Sequence, residues 1–257
     1  MTDDRQAIYV YGVVLASDRT LIRAKGVGRE ETGVRRVPQD GIAALVSELS
    51  TDALAAARDL RAHWSVLEEA AARTTVLPVR FGTVMESEEA VVDDFLAPNA
   101  ERLAAVLAEL DGKVQLSIKG FYDEELLLRQ LLEETPEIAR MRERVRALPE
   151  AASYYERIRL GELVAAEIDR HRASDADLVL GRLEPLAVAA KAEPPTTKDA
   201  ALNTAFLVRR DRVDAFSDAV KRLAGELGDR VQIRYVGPLP PYSFADDGAT
   251  LASGTWA

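Results

Sequence analysis

The stretch KVQLSIKGFY, Lys113–Tyr122, decides how the chain divides. Val114, Leu116 and Ile118 alternate with Gln115, Ser117 and Lys119, the period of two that marks a half-buried strand. Asp111-Gly112, just before it, reads as a turn. The residues before that turn form one α+β half and those after it form another, so the expected domains are 1–110 and 111–257. From Asp123 to about Ala192 nearly every residue favours helix, with interruptions at Pro136, Pro149 and Pro185 and around Ser174-Asp175. A loop at Glu193–Asp199, a strand in AALNTAFLVRR, a helix from Asp211 to Leu227 and a last strand in RVQIRYVGPL complete this half. The order strand, helical insertion (about 123–192), strand, helix, strand is most simply buried as a small antiparallel sheet with helices on one face. A modified ferredoxin-like sheet fits that order, with one strand missing or displaced.

The N-terminal half opens on IYVYGVVL (Ile8–Leu15), β-branched and aromatic without a break, which reads as a buried strand. Glycines at 26, 28 and 33 then punctuate a segment of short strands and turns, and GIAALVSEL (Gly41–Leu49) suits strand or helix equally. A helix is expected to begin after Ser50-Thr51-Asp52 and run to Arg73, with Leu60, Trp64, Leu67 and Ala71 spaced by three and four. TVLPVRFGTV (Thr75–Val84) returns to strand character, and Glu86–Leu110 is helical with a break near Pro98-Asn99.

Composition narrows the function classes. The chain has 257 residues, 47% of them hydrophobic and 30% charged, which is ordinary globular usage and enough to bury a core. No window holds the run of apolar residues that a membrane span needs. MTDDRQAIYVYG lacks the pattern of a cleaved leader, so a cytoplasmic location is expected. The absence of cysteine removes disulfides, thiolate metal sites and cysteine nucleophiles together. A net charge of -10, with arginines interspersed among carboxylates, argues against nucleic acid as a partner. The two histidines, His63 and His171, lie in different halves: His63 reads as a residue at a helix surface or core edge, and His171 as the end of a later helix. HExxH, Walker-type glycine loops and GxSxG are absent, and KGVGREETG lacks the third glycine of a dinucleotide fingerprint. Neither a catalytic residue, a cofactor nor a metal is expected.

Three stretches are more constrained than their surroundings. In LPVRFGTV, Pro78 favours a strand edge or end, and Arg80, Phe81 and Gly82 set a cation, an aromatic and a hinge side by side. Arg80 is expected either to pair with a carboxylate or to face a partner. In SYYERIRLGELVAAEI, Tyr154 and Ile158 begin a helical stripe that suits core packing, while Gly161, costing about 1 kcal/mol in mid-helix, suggests a close helix crossing. In GPLPPYSF (Gly237–Phe244) the prolines protect an edge, while Tyr242 and Phe244 call for a surface to pack on, such as the long helices.

With Tyr9–Gly12 and with Asn203–Val208 these segments, in this order, resemble the gas vesicle protein family GvpL/GvpF. The resemblance spans nearly the whole chain and rests on Leu77–Thr83, Tyr155–Val164 and Gly237–Phe244 as well. It departs at Leu239, where many relatives carry tryptophan. The resemblance implies two α+β domains, the second modified ferredoxin-like, and a non-enzymatic accessory protein of gas vesicles. Its implied partners are the hydrophobic shell protein and other accessory proteins. The expected contacts are Arg80, Phe81, Tyr154, Tyr155, Ile158, Tyr242 and Phe244. The competing expectation is an anion-binding enzyme or regulatory sensor on a ferredoxin-like scaffold, built around Arg80.

Overall fold

The computed structural model describes residues 7–28, 32–49, 57–149, 152–194 and 197–245. The expected start of the first helix after Asp52 lies outside these residues. The chain packs as two compact units, one formed by 1–116 together with 237–257, the other by 117–236. The sequence pattern closes the first domain at residue 110 and gives the whole C-terminus to the second. The difference arises because the chain returns: Gly237 sits against Leu116 and Gln115, where a Cβ would come within 2.7 Å of Leu116 Cδ2, and its φ of +146° suits glycine.

In the first unit, β1 (Ala7–Leu15) pairs antiparallel with β3 (Ile42–Leu49), and β2 (Arg35–Gln39) pairs with β3 through a two-residue turn at Asp40-Gly41. The ambiguous Gly41–Leu49 segment is therefore a strand. On the other side of β1 lie β4 (Leu77–Pro78) and β5 (Val84–Met85), so the strand expected across Thr75–Val84 shrinks to two short pieces flanking a turn. Gly12 permits this approach, since a Cβ there would lie 2.6 Å from the Leu77 carbonyl oxygen. A register shift between Val10 and Gly12 kinks β1 at Tyr11.

Helix α1 (Ala57–Ala71) lays His63, Val66, Leu67, Ala70 and Ala71 on a core that includes Tyr9, Tyr11, Val14 and Leu45. A second helical run packs on β1 and β3 as well. It starts as one turn, α2 (Glu88–Ala90), capped by Ser87, passes through a wide turn at Val91–Leu96 and a tight one at Ala97–Asn99 that holds Pro98, and ends as α3 (Ala100–Leu110). The expected break near Pro98 is thus a change of helical pitch. Burial of both side-chain rows explains why β1 reads as continuously apolar.

The second unit is built on a four-stranded sheet in the order β7-β8-β6-β9, comprising β6 (Lys113–Tyr122), β7 (Ala189–Ala192), β8 (Ala200–Arg209) and β9 (Val231–Leu239). β7 has no counterpart in the sequence pattern, which assigns its residues to the helical insertion. Its AAKA sequence carries no β-branched signal, and only pairing with β8 makes it a strand. Between β6 and β7 come α4 (Glu124–Glu134), capped by the Asp123 carboxylate, α5 (Pro136–Ala147), with proline at its first position, and α6 (Tyr154–Leu183). Helix α7 (Val213–Leu227) comes after β8. Phe206 and Phe216, 5.2 Å apart, are buried in this unit, as are Leu127, Leu131, Val179, Leu183 and Leu223. α6 runs unbroken through Ser174-Asp175, where an interruption was expected. Asp175 does not cap a helix there: it accepts from Tyr122 Oη at 2.7 Å and from Arg230 at 2.5 and 2.7 Å. At 30 residues the helix is about 45 Å long. Among the described residues no helix is long and apolar enough to cross a membrane.

Candidate functional site

In the first unit, two of the constrained segments, LPVRFGTV and GPLPPYSF, meet β1 on α1. β1 supplies Tyr9 and Tyr11, α1 supplies His63 and Trp64, the turn after β4 supplies Phe81 and Gly82, and the C-terminal strap supplies Tyr242. His63, only 1% exposed, lies between two tyrosine hydroxyls: Nδ1 is 3.0 Å from Tyr9 Oη, and Nε2 is 3.2 Å from Tyr242 Oη. Tyr9 Oη also accepts the Gly82 N–H at 3.0 Å.

These contacts give the chain of bonds a direction. With Tyr9 oxygen accepting from Gly82, its buried proton can go to His63 Nδ1, which leaves the imidazole proton on Nε2 to be donated to Tyr242. The opposite tautomer would leave the Tyr9 proton without an acceptor in a fully buried position, a cost of about 1–3 kcal/mol. The strap is therefore tied through α1 and β1 to the turn that carries Phe81. Burial drives the His63 pKa down to about 4, so the ring is neutral at physiological pH. Burial likewise raises the pKa of Tyr9, Tyr11 and Tyr242, so none supplies a phenolate.

Aromatic packing reinforces the relay. Phe81 meets His63 edge-on at 5.6 Å and Tyr9 at 6.3 Å, Tyr11 stacks on His63 at 5.7 Å, and Trp64 packs on Tyr242 at 4.8 Å. Tyr11 Oη accepts from Val27 N–H at 2.6 Å and lies 2.8 Å from Ser47 Oγ, which binds the glycine-rich segment to the sheet. The Phe81 turn is closed by Thr83, whose N–H and hydroxyl both donate to the Arg80 carbonyl. The strap is held at Ser243, whose N–H donates to Gln115 Oε1 at 2.9 Å, while Pro240, Pro241 and Ala245 are buried. The inner layer is thus buried and tied together by hydrogen bonds. Its outer rim, comprising Trp64, Phe81 and Tyr242, is half-buried, and exposed Leu60 precedes Trp64 by one helical turn.

The expected contact residues fall into two groups. Arg80, Phe81, Tyr242 and Phe244 all belong to the first unit, and Phe81 and Tyr242 share the His63 cluster; Arg80 is exposed and forms no ion pair among the described residues. The strap packs on α1 through Tyr242. Tyr154, Tyr155 and Ile158 start α6 in the second unit and are 63%, 80% and 44% exposed, so the core-packing reading of this stripe is corrected. Among the described residues Gly161 marks no crossing, since a Cβ there would meet nothing within 4 Å. His63 is a buried relay, not an edge residue, and His171 lies in mid-helix, 3.4 Å from Glu134 Oε2. Sequence pattern does not select His63 and Trp64, because a histidine beside an amphipathic stripe carries no sign of its partners. The nearest signal is the pair of aromatics in a strap that has to pack on something. Among the described residues, no group of three or more His, Asp or Glu side chains is placed to hold a metal ion.

Comparison with known proteins covers the same span. The family described as "Gas vesicle synthesis protein GvpL/GvpF" matches residues 7–246. Gas vesicle protein F of a Streptomyces species is 37% identical over 239 residues, covering 93% of this chain and 99% of that protein. Gas vesicle protein F of Microcystis aeruginosa is 29% identical, covering 93% of this chain and 97% of that protein. The crystal structure of GvpF from an Anabaena species superposes with a TM-score of 0.80 at 29% identity, over 93% of this chain and 98% of that one.

Proposed function

Because the chain belongs to the GvpL/GvpF family of gas vesicle synthesis proteins, we propose that it is a non-catalytic accessory factor. On this reading it holds or nucleates subunits of the hydrophobic shell protein, together with other accessory proteins, in the cytoplasm and at the growing vesicle. A shell subunit with one face destined for gas exposes apolar surface before assembly, and such surface aggregates unless it is covered. The observation that carries the reading is the aromatic rim of the first unit. Trp64, Phe81 and Tyr242 are held rigidly from beneath by the Gly82–Tyr9–His63–Tyr242 relay, and their outer faces remain accessible. A preorganised apolar surface loses little side-chain entropy on binding. Arg80 beside it offers a cation to a carboxylate of the bound segment, and Tyr154, Tyr155 and Ile158 form a second contact surface.

The same reading takes the second unit as ferredoxin-like. Its element order is β6, helices, β7, β8, helix, β9, and its strand order is β7-β8-β6-β9, with β7 as the strand that the sequence pattern lacks.

Capture of the shell protein by the purified chain tests the proposal. A Phe81→Ala/Tyr242→Ala/Phe244→Ala variant, shown to be folded by circular dichroism, is expected to lose most of that capture. Retention at the level of the unsubstituted chain would remove the rim from the interface.

A further inference from the structure

Among the described residues the first half of α6 carries an exposed seam. Tyr154, Ile158, Gly161 and Ala165 succeed one another at intervals of four, three and four, and all are exposed; Ile168, three residues on, is half-buried. This is the 4-3 spacing of a coiled-coil seam, which places these side chains on one line along the helix. Tyr155 adds a further exposed aromatic beside it. The buried residues of α6, namely His171, Asp175, Val179 and Leu183, all lie in its second half. The helix is therefore anchored at one end and presents a formed apolar edge at the other, so association adds no cost of helix formation. Gly161 and Ala165 in the middle of the seam let a second helix come close.

Charge identifies that helix. Arg157 precedes the seam residue Ile158, and Glu162 comes directly after the seam residue Gly161. In a parallel pair of identical helices these are the two flanking positions that meet across the seam, five residues apart. Arg157 of each copy then faces Glu162 of the other, twice by symmetry. The antiparallel arrangement would set Glu162 against Glu162. We propose that α6 pairs in parallel with α6 of a second copy of this chain, giving a two-fold symmetric dimer. This assigns an occupant to the Tyr154–Ile158 surface, which the proposed function names as a contact site.

The chain contains no cysteine, so single introduced cysteines report the pairing without interference. Under mild oxidation, Ala165→Cys is expected to give a reductant-sensitive covalent dimer. Ala166→Cys, exposed one position round the helix, is expected to stay monomeric. Equal behaviour of the two, or no dimer from Ala165→Cys, overturns the proposal. An Ile158→Cys/Ala165→Cys chain that cross-links where Ala165→Cys does not would establish the antiparallel pair and overturn the parallel one. In sedimentation equilibrium, Glu162→Arg should weaken dimerisation about tenfold, and Arg157→Glu/Glu162→Arg should restore it. Failure of that restoration also counts against the parallel register. These measurements use the purified chain alone, so their outcome is independent of shell-protein capture.

Discussion

His63 shows how much one residue can carry once its surroundings are fixed. Its imidazole is buried, neutral and bonded at both nitrogens, so it holds β1, α1 and the strap together. The folded pKa of about 4 lies below the ordinary 6.5, so between these values the unfolded chain binds the extra proton. The stability that this group contributes is therefore complete above pH 6.5 and is lost as pH falls toward 4, a change on the order of 3 kcal/mol. Urea unfolding at pH 7.5 and pH 5 should show a loss of about 2 kcal/mol in the first unit. His63→Gln should be less stable at pH 7.5 and should flatten the dependence; an unchanged slope would mean that another group titrates. Tyr242 is visible in the sequence as an aromatic in a constrained segment, and Tyr9 as part of a buried strand. That a histidine 54 residues from one and 179 from the other would join them is not.

At the scale of elements, the instructive case is α6. Its sequence contains a glycine at 161 and a Ser174-Asp175 pair, each of which weakens a helix locally. The helix persists because Asp175 is used elsewhere. Burial pushes its pKa up, but hydrogen bonds from Arg230 and Tyr122 outweigh that and hold the carboxylate below its usual range. Asp175→Asn removes the charge partner of half-buried Arg230, and should cost about 3 kcal/mol in denaturant unfolding of the second unit. Asp175→Asn/Arg230→Met should recover part of that loss, whereas a purely additive double variant would deny the coupling. β7 makes the complementary point. Its four residues have little intrinsic preference for a strand, and β8 supplies the hydrogen-bond template. Long periodic elements such as α1, α3, β6 and β8 are legible in the sequence because their pattern repeats over several turns or pleats. Short ones such as β4, β5 and β7 are not, because each depends on a neighbour distant in sequence.

For the whole molecule, the consequence to test is that the first unit is assembled from two separated parts of the chain. Ending the chain after Leu239 removes Tyr242 from His63 and Trp64, and should destabilise that unit by about 3–5 kcal/mol, the cost of emptying an aromatic site. Amide hydrogen exchange would then show lost protection in β1 and α1 with β8 and α7 unchanged; equal loss in both units would refute the assignment of the strap. The sequence by itself determined the α+β character, the main helices and strands, and membership of the gas vesicle family, because periodicity, glycine and proline punctuation and short motifs are local signals. Only the tertiary structure decided that the strap belongs to the first unit, that His63 is its anchor, and that the Tyr154–Ile158 stripe faces outward. Amphipathic spacing states which residues share a face, and the packing of distant segments settles what covers that face.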